Sequence, residues 1–326
     1  MTTMNESSQR ALLEAAAEGL RKIATDTRSL AAFAAPGSAL RELLSPAARR
    51  YVLAPDRAGF LTEAAQLRAK GYRVTAEFAP ADHDGDDPAH AERAVVEHLA
   101  LLAQEGAPDQ VGFDLSGMGL ALSRELALEN TGRIAAAAAA RGSEIVLSME
   151  RYPSVDSVLA VHHELCGRYP NVGVTLQAHL HRTEHDAAAV ARPGRRIRLV
   201  KGAFPEPAHI ALGRGPALDD RYLSLARYLV DAGARLSLAT HDPVVLEAAR
   251  ESGLLARVAE VEMRYGVQPG LLRAHREAGR TCRVNATYGT NWWLHLLQRL
   301  TEHPPMVLRA LADIGTVHAP TTGQTY

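Results

Sequence analysis

Hydrophobic and polar positions follow two different periods along this chain. Short segments in which apolar and polar residues alternate predict strands, and longer segments with apolar residues at helical spacing predict the helices between them. Eight predicted strands, each followed by a helix, cover most of the chain. They are residues 73–78, 111–115, 144–149, 172–177, 196–201, 235–239, 259–263 and 282–286.

The order of these elements predicts an α/β fold. Strands that alternate with helices run parallel, because each helix carries the chain back to the same edge of the sheet. Eight such units without a glycine-rich dinucleotide loop favour a (β/α)8 TIM-like barrel, and an open parallel sheet is the alternative. We expect residues 56–315 to form the barrel, residues 1–55 an N-terminal helical extension that packs on the barrel or on a partner, and residues 316–326 a C-terminal tail.

Composition narrows the class of protein further. A chain of 326 residues with 47% hydrophobic residues can bury a large core, and its net charge of -1 creates no field for nucleic acid. We find no apolar run of the roughly 18 residues that a membrane span needs, and the N-terminus is too polar for a signal peptide. Cys166 and Cys282 form neither a disulfide framework nor a metal-ligand spacing. We therefore expect a cytoplasmic protein that acts on a small molecule.

The strand that begins at Arg196 places two cations near the end of a strand. Because side chains alternate between faces, Arg198 and Lys201 point to opposite sides. Burying either cation is costly unless an anion meets it, so this strand predicts a binding role. A solvated edge strand with two exposed cations is the alternative.

Polar residues follow the other predicted strands at the barrel end where the chemistry of this fold is found. Such a polar rim suits a ligand with phosphate and carbonyl groups. A metal bound by His179, His181, His241 and Asp242 is a further alternative, which the nearby Arg198 and Lys201 disfavour through repulsion. The rim residues are Glu77, Asp114, Ser116, Ser148, Met149, Glu150, Gln177, His179, His181, Arg198, Lys201, Thr240, His241, Asp242, Glu262, Asn285 and Tyr288.

Six segments, in the same order, resemble the proline dehydrogenase family of flavoenzymes. VTLQAHLHRTE at residues 174–184 is similar to the family's Leu-Gln-Ala-Tyr segment, and RLVKGAF at residues 198–204 is similar to its Arg-Leu-Val-Lys-Gly-Ala-Tyr motif. ATHD at residues 239–242 and the shorter segments at 265–267, 288–290 and 298–300 follow. The resemblance covers about residues 50–312 and implies a distorted (β/α)8 barrel.

The resemblance also implies non-covalently bound FAD at the barrel mouth. A guanidinium at Arg198 could steady the charge of a reduced flavin. The positions that match the family's flavin contacts are Met149, Gln177, Arg198, Lys201, Gly202, Ala203, Thr240 and His241.

The substrate side departs from the family pattern. The family's Arg-Arg pair is Gln298 and Arg299 here, and Asp114 stands in place of its lysine. Ser148 replaces the family's aspartate, and Phe204 and Asn285 replace two tyrosines. These five positions and Arg299 form the expected substrate shell, in which Asp114 would repel the carboxylate of proline.

We therefore expect an FAD-dependent oxidoreductase that removes a hydride from a carbon bonded to nitrogen in a non-proline amine, imino acid or hydrazine-type compound, for example on a biosynthetic route. Arg198, Asp114 and Ser148 are the expected catalytic residues. Oxygen, a quinone or another redox partner would accept the electrons. Proline oxidation in a rearranged pocket and a catalytically silent flavin-binding partner protein are the alternatives.

Overall fold

The computed structural model describes residues 6–24, 26–35, 37–80, 87–202, 204–302, 305–315 and 326. Within this part of the chain the strands are β1 Val52–Ala54, β2 Arg73–Phe78, β3 Gln110–Phe113, β4 Glu144–Leu147, β5 Val172–Gln177, β6 Arg196–Val200, β7 Arg235–Ala239, β8 Glu260–Arg264 and β9 Cys282–Tyr288. The helices are α1 Glu6–Ala24, α2 Thr27–Ala34, α3 Ala39–Ala48, α4 Arg57–Ala69, α5 Pro88–Leu102, α6 Arg124–Ala140, α7 Val155–Cys166, α8 Thr183–Val190, α9 Pro216–Asp231, α10 Pro243–Glu251, α11 Pro269–Glu277, α12 Trp293–Glu302 and α13 Pro305–Ile314.

Strands β2 to β9 form a closed barrel. Each pairs in parallel with the next, and β9 pairs back with β2 from Arg73 opposite Arg283 to Phe78 opposite Tyr288. The predicted (β/α)8 barrel is confirmed, and the closure excludes the open sheet. Strand β1 was not predicted, because three residues are too few to show a period. It lies within the span assigned to the helical extension and pairs with the upper end of β9, where Val52 faces Thr287.

The N-terminal helices pack on the last two helices and form a second hydrophobic core. Phe33 of α2 meets Trp292 edge to face, with ring centroids 4.7 Å apart. Tyr51, Trp293 and Leu296 are buried in the same cluster. Arg50 forms an ion pair with Asp313 of α13 at 2.5 Å. The extension therefore supports α12, which begins directly above the end of β9.

None of the described helices combines the length and the apolar character needed to cross a bilayer.

The interior of the barrel is charged at its amino-terminal end. We call this set the lower network, and its side chains are joined by ion pairs. Glu260 lies at its centre and receives Arg283 at 2.8 Å, Arg196 at 3.1 Å and the hydroxyl of Ser237 at 2.6 Å. The lower network consists of Arg73, Glu144, Arg196, Arg235, Glu260 and Arg283.

A glycine on β5 makes room for this network. A Cβ atom at Gly173 would lie 2.7 Å from Cγ of Arg196, so only glycine lets that long side chain cross the barrel. Burial alone would raise the pKa of Glu260, but the guanidiniums of Arg283 and Arg196 lower it to about 2. The carboxylate is therefore the charge on which the buried arginines depend.

We predict that Glu260→Gln destabilises the fold by about 3–5 kcal/mol at neutral pH, because it leaves buried arginines without their carboxylate. The pH dependence has a definite sign. Since the pKa of Glu260 is depressed on folding from 4.5 to about 2, its contribution is complete above pH 4.5 and is lost as the pH falls towards 2. Urea unfolding of both proteins between these pH values measures the difference, which should shrink on acidification.

Glu247→Gln is the control, because Glu247 pairs with Arg250 on the exposed surface of α10. It should leave the free energy of unfolding nearly unchanged. Equal effects of the two substitutions would contradict the role assigned to the lower network.

Candidate active site

The carboxyl-terminal ends of the strands bring most of the predicted rim residues together. Asp114 and Ser148 follow β3 and β4, Gln177 ends β5, Arg198 lies inside β6 and Asn285 lies inside β9. The strands alternate faces, so these side chains converge at the mouth of the barrel. The exposed-strand alternative for Arg198 is wrong, since this residue is only 6% exposed.

A second charged set, which we call the upper network, forms the floor of the mouth. It consists of Glu77, Arg198, Glu262, Arg264 and Asn285. Arg198 approaches Glu262 at 2.7 Å and Glu77 at 3.6 Å, and Arg264 donates to Glu77 at 2.8 Å. The amide of Asn285 donates to the other oxygen of Glu77, also at 2.8 Å. Although burial opposes ionisation, Arg264 and Arg198 hold the pKa of Glu77 well below its usual range.

Asp114 has a different environment from these paired charges. Arg198 and Arg264 are ion-paired with Glu262 and Glu77, whereas Asp114 receives a hydrogen bond from Ser148, and the charge of Arg264 also favours its ionised form. The surrounding protein atoms, together with the carboxylates Glu150 and Glu77, raise its pKa, at most to about 7. Asp114 is exposed at the mouth, so water reduces this rise. Its pKa therefore lies closer to neutrality than that of the paired carboxylates.

Glu150 ties the neighbouring loops of the mouth together. Its carboxylate accepts the backbone N–H of Ser116 at 2.8 Å, and burial raises its pKa. Its backbone carbonyl accepts the side-chain amide of Gln177 at 2.9 Å. Met149, the preceding residue, is 7% exposed and packs in the main hydrophobic core. Gln177 and Met149 thus lie beside the acidic side of the mouth.

Lys201 points away from Arg198, as the alternation predicts. Its ammonium binds Asp219 of α9 and lies 2.6 Å from Asp242. The same Asp242 caps α10 by accepting the N–H of Val244 at 2.9 Å. The lysine is therefore held at the outer rim by two helices.

Thr240 and His241 line the same rim after β7. Thr240 is buried, and its hydroxyl accepts the N–H of Asp242 at 3.2 Å. His241 accepts the backbone N–H of Arg264 through Nε2 at 2.9 Å, which fixes its ring beside β8. His181 instead approaches the carbonyl of Ala208 at 2.9 Å. Among the described residues, no group of three or more histidine, cysteine or acidic side chains is placed to hold a metal ion.

Gly202 allows a close approach between two segments of the rim. Its φ of +119° lies in the region that favours glycine, and a Cβ atom there would lie 1.8 Å from Nδ1 of His179. His179 is 5% exposed, and burial lowers its pKa. The imidazole therefore packs as a neutral ring against the backbone after β6. Ala203 lies outside the described residues.

The predicted substrate residues beyond the floor lie on two other elements. Phe204 follows β6 and lies under the guanidinium of Arg151, 5.3 Å from the ring centroid. Arg299 is 5% exposed on α12. The side chain of Gln298 lies outside the described residues.

Sequence reasoning missed Arg264 and His295. Arg264 continues the inward alternation of Glu260 and Glu262, but it fell one residue beyond the predicted end of its strand. His295 of α12 contacts Thr287 at 3.3 Å and the carbonyl of Tyr51 at 3.2 Å. Burial, with Arg299 and Arg264, lowers its pKa to about 3. Only the folded chain brings this neutral histidine to the mouth.

Several buried polar atoms at the mouth are available to form hydrogen bonds with a ligand. Within the described part of the chain, Oε2 of Glu262, Oδ1 of Asn285 and both ring nitrogens of His179 lack a well-oriented hydrogen bond. Buried polar atoms are normally satisfied, so unsatisfied ones that cluster at a barrel mouth suit a polar ligand. The mixture of donors and acceptors fits a heterocycle that carries carbonyl oxygens and ring nitrogens.

Comparison with known proteins gives consistent matches. A family model described as proline dehydrogenase matches residues 60–302. Proline dehydrogenase 1 of Bacillus subtilis (strain 168) is 28% identical over 267 residues, which cover 79% of this chain and 87% of the relative. Proline dehydrogenase of Deinococcus radiodurans is 31% identical over 219 residues, which cover 64% of this chain and 71% of the relative.

Solved structures with the same fold are larger proteins. Proline utilization A from Bdellovibrio bacteriovorus, inactivated by N-propargylglycine, has a TM-score of 0.68 at 18% identity over 84% of this chain. Proline utilization A from Bradyrhizobium japonicum has a TM-score of 0.58 at 17% identity over 77% of this chain. The present chain spans only 36% and 32% of these two chains, and at this identity the likeness concerns the fold alone.

We predict that Gly202→Ala lowers stability by at least about 1–3 kcal/mol, because the new methyl group requires a strained backbone and displaces His179. Thermal unfolding followed by circular dichroism measures the loss. Gly213→Ala in the same connection is the matched control, since a Cβ atom there meets nothing within 4 Å. If the two variants unfold at the same temperature, the close packing of His179 on Gly202 is not needed.

Proposed function

The chain belongs to the proline dehydrogenase family, and from this premise we propose that it oxidises the C–N bond of a cationic amine at the barrel mouth. Membership makes it an oxidoreductase of the proline dehydrogenase type and makes FAD the expected cofactor. The chemical class of the amine and the residues that act on it are the new part of the proposal.

The polar atoms of the mouth fit a flavin. Flavin rings offer carbonyl oxygens and ring nitrogens, which match the unsatisfied donors and acceptors around Arg198. In the proposal, Gln177, Thr240, His241, Met149 and the backbone at residues 202–203 hold the cofactor, together with Lys201 after exchange of a carboxylate partner. Bound FAD would supply the two-electron acceptor for a hydride.

Asp114 is the observation that carries the proposal. It is a carboxyl group at the mouth of the site, where Arg198 and Arg264 are ion-paired with Glu77 and Glu262. An ionised Asp114 would attract a protonated amine and repel a carboxylate. Ser148 donates a hydrogen bond to Asp114 and would orient it.

The reaction needs a proton acceptor as well as a hydride acceptor. When the C–H bond breaks, its electron pair leaves as hydride, and the nitrogen lone pair forms the C=N bond after the N–H proton departs. Asp114 would take that proton, for which a pKa near neutrality is well suited. Arg198, held between Glu77 and Glu262, would keep a fixed positive charge beside the cofactor.

Arg299 favours a second candidate, oxidation of L-proline itself. It is a buried cation on α12, and a guanidinium in the mouth could pair with a substrate carboxylate. The matched relatives bear the name proline dehydrogenase, so this candidate fits the family equally well.

The two candidates are separated by anaerobic titration of the FAD-loaded protein with pyrrolidine and with L-proline, which share a ring but differ in the carboxylate. We expect pyrrolidine or a related amine without a carboxylate to bleach the flavin absorbance faster than L-proline. Faster bleaching by L-proline would favour the second candidate. Bleaching by no amine would leave a flavin-binding protein without amine chemistry, contrary to the proposal.

We predict that Asp114→Asn slows flavin reduction by the accepted amine roughly 10²–10⁴-fold. In the unchanged protein the rate should rise with pH through about 7, because Asp114 must be ionised to accept the proton. Stopped-flow reduction at a series of pH values measures both effects. Asp220→Asn on the exposed face of α9 is the matched control and should retain the full rate and the same profile.

A further inference from the structure

We propose that the amino-terminal end of the barrel binds a small phosphate-type oxyanion through the lower network. This end lies opposite the mouth, because all strands of the barrel run parallel and the residues concerned begin them. The inference is therefore independent of the amine proposed above.

The arginines of the lower network form one continuous chain of contacts. Arg73 approaches Glu260 at 3.4 Å, and Arg196 bridges Glu260 at 3.1 Å and Glu144 at 3.0 Å. Arg235 then meets Glu144 at 2.7 Å. Since Arg283 also binds Glu260, four guanidiniums share two carboxylates.

This ratio leaves an excess of positive charge at this end of the barrel. The buried Arg196 and Arg283, which are 2% and 1% exposed, are matched by Glu144 and Glu260. The excess therefore lies on Arg73 and Arg235, at the solvent edge of the network. Asp109 lies at the same end, but it accepts the N–H of Val74 at 2.9 Å and has its own partner in Arg68 at 3.9 Å. A bound dianion would balance the excess.

The same end also presents an unused hydrogen-bond donor. Nε2 of Gln110 has no acceptor among the described residues. Gln110 is 1% exposed, and its carbonyl accepts the hydroxyl of Thr75 at 2.9 Å. A buried donor without an acceptor is rare, and this one accompanies guanidiniums that match the geometry of an oxyanion.

An anion can reach this set from solvent. The side chains of Arg73 and Arg235 are 45% and 48% exposed, so their guanidiniums form the entrance.

The test is thermal unfolding in inorganic phosphate compared with chloride at the same ionic strength. We expect a saturable rise of the unfolding temperature in phosphate only. Arg73→Gln and Arg235→Gln should each raise the half-saturating phosphate concentration roughly tenfold, because each removes one charge-assisted contact. Repeating the measurement with glucose 6-phosphate tells whether the site binds free phosphate or a larger phosphate ester. Binding of either compound supports the proposed site.

Arg257→Gln is the control, since Arg257 pairs with Asp231 at an exposed position away from the barrel interior. It should keep the phosphate response unchanged. If a variant at the entrance folds poorly, isothermal titration of the unchanged protein with phosphate is the test, and the absence of binding would contradict the proposal. Equal effects of phosphate and chloride, or a response that survives both entrance substitutions, would overturn the proposal.

Discussion

Charge pairing inside a closed barrel is the constraint on which this structure depends. Arginines on β6 and β9 point inward, where water cannot solvate them, so each needs a carboxylate from another strand. Glu260 and Glu262, two residues apart on β8, each meet this need in one of the two networks. The register of β8 against its neighbours is thereby fixed, since a slip of one residue would turn both carboxylates away from the interior.

One carboxylate at the mouth of the barrel, Asp114, differs from the carboxylates that pair with arginines. Glu77 and Glu262 are bound to arginines and stay ionised, whereas Asp114 is bound to Ser148 and can gain or lose a proton. Two kinds of carboxylate in one site can divide the work of holding fixed charge and moving protons. Family membership makes the chain an oxidoreductase, and the contrast among the carboxylates is the basis of the proposed amine substrate.

Local sequence pattern was enough to predict the barrel and many of the residues at its mouth. The alternation within residues 196–201 placed Arg198 and Lys201 on opposite faces, and the structure has them there. The pattern could not show that Lys201 meets Asp219 and Asp242, because those contacts depend on how two helices return to the rim. It also missed β1, which is a strand only because the upper end of β9 offers it hydrogen bonds. Contacts between elements that are distant in sequence depend on how the whole chain packs, so a short sequence segment cannot predict them.

Because α12 packs on the N-terminal helices, the part of the chain that supports the site extends beyond the residues that match the family. The family match begins at residue 60, after α1, α2, α3 and β1. A fragment cut to that match would strip the cover from Trp292 and Trp293 and remove Tyr51, whose carbonyl contacts His295. Residues far from any recognised motif thus help to position the helix that carries Arg299.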